Sequence, residues 1–250
     1  MPILTAEGLY KRYGGVTAVA GVSLSLARGE IAGMIGSNGA GKTTLFQMLT
    51  SFERPDAGRI YLYPQTKAGE SAQGRFDAVA VHGTQAHILA RMGVARTFQN
   101  LRLFERLTVR ENIQAAVLSL RIRGFALEQL LAMLGLAECA DTNVEALPYG
   151  TRKLCELGRA VAVASAGCGM LFLDEPCAGL CAEETERLAG LLRQLKQNYA
   201  LTIFIIEHHM AFVEQLCDRL YAMDTGHVIA QGRPQEVLSN AAVRQAVLGE

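Results

Sequence analysis

Residues 36–43 read GSNGAGKT and stand between an apolar run, IAGMIG, and a stretch suited to a helix, KTTLFQMLTSF. The pattern G-x-x-x-x-G-K-[ST] between a strand and a helix admits few folds, because each residue type answers to one piece of chemistry. Gly39 and Gly41 let main-chain N–H groups curl around phosphate oxygens. Lys42 has the reach for the β- and γ-phosphates, and the Thr43 hydroxyl suits Mg²⁺. Gly36, Ser37, Asn38 and Ala40 complete the loop, and Thr44 continues the helix it opens. A nucleoside triphosphate is the expected ligand.

The stretch MLFLDEP, residues 170–176, supplies a matching second half. Four apolar residues carry Asp174 and Glu175 to the end of a buried strand. Asp174 can hold Mg²⁺ through its water shell, and Glu175 is placed to orient or deprotonate an attacking water. An acid directly after the metal carboxylate favours hydrolysis over transfer to a second substrate. His208, in IIEHHM, falls at the C-terminal end of the next buried strand, where ligands bind in open α/β sheets. It is expected to contact the γ-phosphate, whereas His209 has no such argument. Gln99, in ARTFQN, follows a possible short strand and taken alone is a surface amide.

Composition narrows the partners. The 24 basic and 24 acidic residues balance, so no global field draws the chain to nucleic acid or to an anionic membrane surface. Residues 1–15 lack the apolar run of a signal peptide, and no stretch reaches the roughly 20 apolar residues of a membrane-spanning helix. The six cysteines form no paired CxxC clusters, so free cytosolic thiols are expected rather than zinc ligands.

Along the chain, the first 30 residues alternate apolar and polar positions around Gly14 and Gly15, which predicts antiparallel strands. Residues 55–58 make a turn before a short strand, RIYLY. From 64 to about 83 the sequence is polar and weakly patterned, as in a long surface loop. TQAHILARMG reads as a short helix, and 108–146 as helical from the spacing of Leu127, Leu130, Leu131, Leu134 and Leu136. EETERLAGLLRQLKQ is an amphipathic helix, LTIFIIE a buried strand, and DRLYAMDTGHVIAQG a hairpin turning at Thr225 and Gly226. Continuous apolar strands alternating with helices predict a mostly parallel, covered sheet with the helical run inserted into it.

One stretch fits none of this chemistry by itself. In EALPYGTRKLCELGRAVA, residues 145–162, a Pro-Tyr-Gly-Thr corner opens an amphipathic helix, and an open helix N-terminus favours anions. Read in order, GSNGAGKTT, RTFQ, LPYGTRKL, LFLDEP and IIEHH resemble the motifs of an ABC-transporter ATP-binding subunit across essentially the whole chain. RMGVARTFQNLRLFERLTVRENI, DEPCAGL and the tail VRQAVLGE are similar to the branched-chain amino acid importer class, whose wording the urea and amide importers share. The resemblance implies an α/β P-loop NTPase (RecA-like) fold with a mostly parallel sheet, an N-terminal antiparallel β subdomain and an inserted helical subdomain. The nucleotide-binding core would span 1–98 and 160–250, and the helical signature subdomain about 99–159.

By the same resemblance Tyr13 would stack on adenine, Gln99 would join Mg²⁺ to the membrane partner, and His208 would be the switch histidine. Leu147, Pro148, Tyr149, Gly150 and Thr151 would close over ATP held by a second ATPase subunit, a copy of this chain or a different one. Transmembrane permease subunits, a solute-binding protein acting through them, and a peripheral position on the cytoplasmic face of the membrane are implied as well. Residues 96–115 would receive the permease. The sequence departs from the family at Ser37 (usually Pro), Pro148 (usually small), Thr151 (usually Gln) and Cys181 (usually Asp or Asn). Pro148 has no N–H to donate. Two readings follow: a working subunit with a tolerant corner, or the weaker corner of an asymmetric pair. A soluble ABC ATPase acting on nucleic acid or ribosomes, and an assembly module that binds ATP without efficient turnover, are the competing functions.

Overall fold

The computed structural model describes residues 1–64 and 78–248. Its centre is a six-stranded sheet built from β3 (Ile31–Gly36), β6 (Val94–Arg96), β7 (Met170–Asp174), β8 (Thr202–Ile206), β9 (Arg219–Asp224) and β10 (His227–Gly232). The spatial order is β10-β9-β3-β8-β7-β6, and every pairing except β10 with β9 is parallel. Strands buried on both faces need no polar alternation. Accordingly β3 and β8 are buried at every position. Successive side chains enter two different cores. Ile31, Ile35, Leu171, Leu173, Ile203 and Ile205 face one, while Ala32, Met34, Phe172, Phe204 and Ile206 face the other.

The second core is closed by the N-terminal sheet of β1 (Pro2–Tyr13), β2 (Val16–Ala27), β4 (Ala57–Leu62) and β5 (Val79–Ala80), all antiparallel in the order β2-β1-β4-β5. Helix α1 (Lys42–Leu49) lies in the same core, and Phe46 meets Phe172 edge-on at 5.6 Å. Each such fully buried aromatic side chain contributes about 1.5–3 kcal/mol by its removal from water.

The surface-loop expectation for 64–83 falls largely on residues 65–77, outside the described residues. Val79 and Ala80 pair with Tyr61 and Leu62 as a strand rather than a loop. Helix α2 (Ala86–Arg91) forms as the sequence suggests. The single helical reading of 108–146 needs correction. The structure has α3 (Val109–Ser119), α4 (Leu127–Met133) and one short 3-10 turn at Val144–Ala146. Arg121, Gly124 and Gly135 take φ of 54°, 69° and 67°, which an α-helix cannot continue through. Leucine spacing reports the buried face of each piece but does not register these breaks. Thr108 and Glu111 form a capping box that starts α3.

Helix α5 (Tyr149–Ala164) packs its apolar stripe on the first core. It is followed by α6 (Ala182–Asn198) and by α7 (Met210–Leu216). Thr225 and Gly226, at φ 45° and 81°, make the turn between β9 and β10.

Candidate functional site

The phosphate loop leaves the C-terminal end of β3, the strand flanked by β8 and β9, where an open parallel sheet forms its crevice. Two glycines of the loop are compelled by close packing. A Cβ on Gly41, which also has φ 97°, would lie 2.0 Å from the Ala18 carbonyl oxygen, and one on Gly36 would lie 2.2 Å from that of Met223. No side chain caps α1 and no acid occupies its first turn, so its leading N–H groups face outward with the positive end of the helix dipole. Lys42 donates Nζ hydrogen bonds to the carbonyls of Gly36 (2.8 Å) and Ser37 (2.9 Å), curling over its own loop. Burial lowers its pKa, against the pull of Glu175 and Asp174, which marks both carboxylates as its electrostatic neighbours.

Ser37 donates to the Asp224 carboxylate at 3.2 Å, so its departure from the family pattern is absorbed by a hydrogen bond. Asn38 and Gly39 are exposed at the tip, Ala40 is buried beneath, and Thr43 is exposed at the helix start. Tyr13 ends β1 and is 46% exposed. Burial raises the pKa of its phenol, followed by the charge of Glu53.

Asp174 ends β7 with its carboxylate 4.0 Å from Arg96, and the two side chains are 10% and 11% exposed. Burial pushes the Asp174 pKa up, and Arg96 opposes it. The Arg96 guanidinium sits 4.8, 4.5 and 4.7 Å from the ring centres of Phe46, Phe52 and Phe98, and it donates to the Thr50 hydroxyl at 3.0 Å. Glu175 has φ 47°, a costly conformation for a side chain of its size, and its N–H is fixed to the Ile206 carbonyl at 2.9 Å. Its Oε1 lies 3.2 Å from His208 Nε2. Strain and contact together aim the carboxylate at the histidine.

Gln99 is exposed and lines a cavity of about 720 Å³ with Thr97, Asp174 and Glu175. Pro148, Tyr149, Gly150 and Thr151 line the same cavity, so the corner and the acidic pair share one opening within the chain. Pro148 is the N-cap of α5 and no side-chain hydrogen bond caps the helix. Arg152 secures the corner from behind, donating to the carbonyls of Leu147 and Glu145, both at 3.1 Å. Cys181 caps α6, its N–H donating to Glu184 at 2.8 Å.

Sequence reasoning missed Arg96, Lys153 and Glu207. A lone cation ending the apolar pair Val94-Ala95, and an acid ending LTIFII, were the available signals for two of them. Among the described residues no cluster of three His, Cys, Asp or Glu side chains could cage a metal. Asp174 and Gln99 line one cavity, and a carboxylate and an amide oxygen make a sparse, hard donor set. That set suits Mg²⁺, which keeps waters and shares substrate phosphates.

Fold and site together define a P-loop ATPase. Residues 19–178 match the model of the ABC transporter family. The whole chain is 37% identical to the high-affinity branched-chain amino acid transport ATP-binding protein LivG of Escherichia coli (strain K12), covering 98% of that relative. It is 34% identical to the corresponding protein BraF of Pseudomonas aeruginosa, again over 100% of this chain and 98% of the relative. A crystal structure of an ATP-binding cassette of an ABC transporter in its ADP conformation superposes with a TM-score of 0.82 at 30% identity, covering all of both chains. Another, cbiO1 from Clostridium perfringens, gives 0.78 at 27%, covering 98% of this chain and 93% of that one.

The chain belongs to the ABC transporter family, as an ATP-binding, ATP-hydrolysing subunit. Such subunits work with transmembrane permease components, and among the described residues no helix is long and apolar enough to cross a membrane.

Proposed function

We propose that this chain hydrolyses ATP at the cytoplasmic face of a membrane to drive an importer of branched-chain or related amino acids. The observation that carries the mechanism is the 3.2 Å contact between His208 and Glu175 beside the phosphate loop. Glu175 takes a proton from the water that attacks the γ-phosphorus, the bond from that phosphorus to the ADP oxygen breaks, and His208 holds Glu175 and the γ-phosphate in register. Lys42 and the N–H groups of residues 36–44 bind the phosphates. Thr43, Asp174 and Gln99 hold Mg²⁺, which offsets phosphate charge, and Tyr13 stacks on the adenine.

The chain divides into the core with its β subdomain (1–98 and 160–250) and the helical part (about 99–159). The Leu147–Thr151 corner serves ATP bound to a second subunit. Permease docking falls on a cleft of about 300 Å³ lined by Phe52, His87, Arg96, Phe98 and Arg159, beside which Phe104 is 54% exposed.

Glu175→Gln should lower kcat on the order of 10²–10⁴-fold while ATP still binds. Uptake of labelled leucine by the reconstituted transporter, against labelled urea, tests the solute. Loss of permease co-purification on mutating Phe104 or Arg106 tests the docking face.

The uncapped Pro148 corner favours a second reading, in which this corner is the weaker one of an unlike pair. Glu175→Gln here would then abolish most turnover while the matching change in the other subunit costs little. Equal losses would refute it.

A further inference from the structure

Three polar side chains around residues 176–178 have no part in the chemistry above: Lys153, Cys177 and Glu207. Glu207 is 3% exposed, and its carboxylate is saturated by main-chain donors. Oε1 accepts from the Cys177 N–H at 2.7 Å, and Oε2 accepts from the N–H groups of His208 (2.8 Å) and His209 (3.2 Å). A buried carboxylate is tolerable because both oxygens are satisfied in this way. Lys153, on the second turn of α5, approaches from the other side and donates Nζ hydrogen bonds to the carbonyls of Pro176 (3.3 Å) and Ala178. The Pro176 carbonyl and the Cys177 N–H belong to one peptide plane and point in opposite directions. A single peptide dipole is therefore gripped at its negative end by an ammonium and at its positive end by a carboxylate.

We propose that Lys153 and Glu207 are positioning residues that clamp the 176–177 peptide, fixing the helix that carries the 147–151 corner to the segment that carries His208 and, through it, Glu175. On the function proposed above, on which this inference rests, the corner serves another subunit's ATP and the His208–Glu175 pair serves the chain's own. The clamp then ties the two ATP sites together inside one chain, through a lysine on one element and a glutamate on another.

The cleanest perturbation is Glu207→Gln. The amide keeps the size of the carboxylate but has one acceptor oxygen, so its NH₂ must face either Cys177 or the His208–His209 pair and release it. Lys153→Met removes the other grip with a side chain one atom shorter, while Lys153→Arg keeps donors for two carbonyls. The assay is steady-state ATP hydrolysis by the full-length chain with its partner subunits, beside equilibrium binding of a fluorescent ATP analogue.

Glu207→Gln and Lys153→Met should each lower kcat on the order of 10–100-fold by misplacing His208 and Glu175, with nucleotide affinity and KM within about twofold because the phosphate loop is untouched. Lys153→Arg should recover most of the loss, and the double variant should be no worse than the poorer single one. Amide hydrogen exchange reads the same clamp without activity: Lys153→Met should accelerate exchange of the Cys177 and His208 amides by about tenfold. A kcat within twofold of wild type for Glu207→Gln, or a loss expressed as nucleotide affinity, overturns the clamp. A wild-type chain that binds but never hydrolyses ATP overturns the proposed function instead, and the exchange rates then decide the clamp alone.

Discussion

Replacing Arg96 by Met should destabilise the nucleotide-free protein because it strands a buried charge. Asp174 has its carboxylate 4.0 Å from the guanidinium, and both side chains are about nine-tenths buried. At that separation, with an effective dielectric constant near 20, the attraction is about 4 kcal/mol. Removing one partner of a buried pair typically costs about 3–5 kcal/mol, since the survivor keeps its desolvation penalty. Methionine fills part of the space between Phe46, Phe52 and Phe98, and sulfur–ring contacts of about 0.3–1.5 kcal/mol replace part of the cation–π attraction of about 2 kcal/mol. The expected loss is therefore about 3–5 kcal/mol, most of it electrostatic.

A double-mutant cycle with Asp174→Asn separates the terms. In the Arg96→Met background, neutralising Asp174 should return about 1–3 kcal/mol, because no charge is left stranded. Urea unfolding followed by circular dichroism, without nucleotide or Mg²⁺, supplies the four free energies. Single effects that add to within about 0.5 kcal/mol would refute the view that this pair is coupled.

Gly41→Ala should be poorly folded or unable to bind ATP, since its Cβ would lie 2.0 Å from the Ala18 carbonyl. Thermal melts with and without nucleotide distinguish the two, and a wild-type melt with full nucleotide stabilisation would count against the packing argument. Burial pushes the thiols of Cys155, Cys168 and Cys217 up to about 12, 11 and 12, whereas Cys181 is exposed. An alkylating reagent at neutral pH should label Cys181 first and leave those three unmodified until the protein unfolds, as peptide mass mapping will show.

Burial pulls the Asp218 pKa up, but hydrogen bonds from Lys196 and the Ile31 N–H prevail and hold it below the usual value. A depressed carboxyl contributes stability above its unfolded pKa of about 3.9 and loses it as pH falls through the lower folded value. Asp218→Asn should therefore flatten the acid limb of stability below about pH 4 without altering its neutral plateau shape, as urea midpoints across pH can test.

Legibility followed the kind of constraint. The phosphate loop, the acids ending MLFLDEP and the histidine after LTIFII were readable because each rests on residue types at short, fixed spacing. The strands β3, β7 and β8 were readable as unbroken apolar runs. Arg96, Lys153 and Glu207 were not, since each has a partner far along the chain: Phe46 and Asp174 for Arg96, Pro176 for Lys153 and Cys177 for Glu207. Phe46 lies on α1, and the peptide held by Lys153 begins 23 residues downstream. Periodicity reports which face is buried and says nothing about what it meets. The same blindness joined α3 and α4 into one helix across Arg121 and Gly124, and it overlooked a two-residue strand at Val79–Ala80.

Pro148 is the cap of α5, and among the described residues no side-chain hydrogen bond caps its first turn. If another molecule's anion completes that turn, part of the folding free energy of this subunit resides in its association. The apparent stability of the subunit then follows mass action, rising with nucleotide and partner concentration as RT ln(1 + [L]/Kd). The melting temperature of this subunit is in that sense a property of what it is mixed with as much as of its sequence.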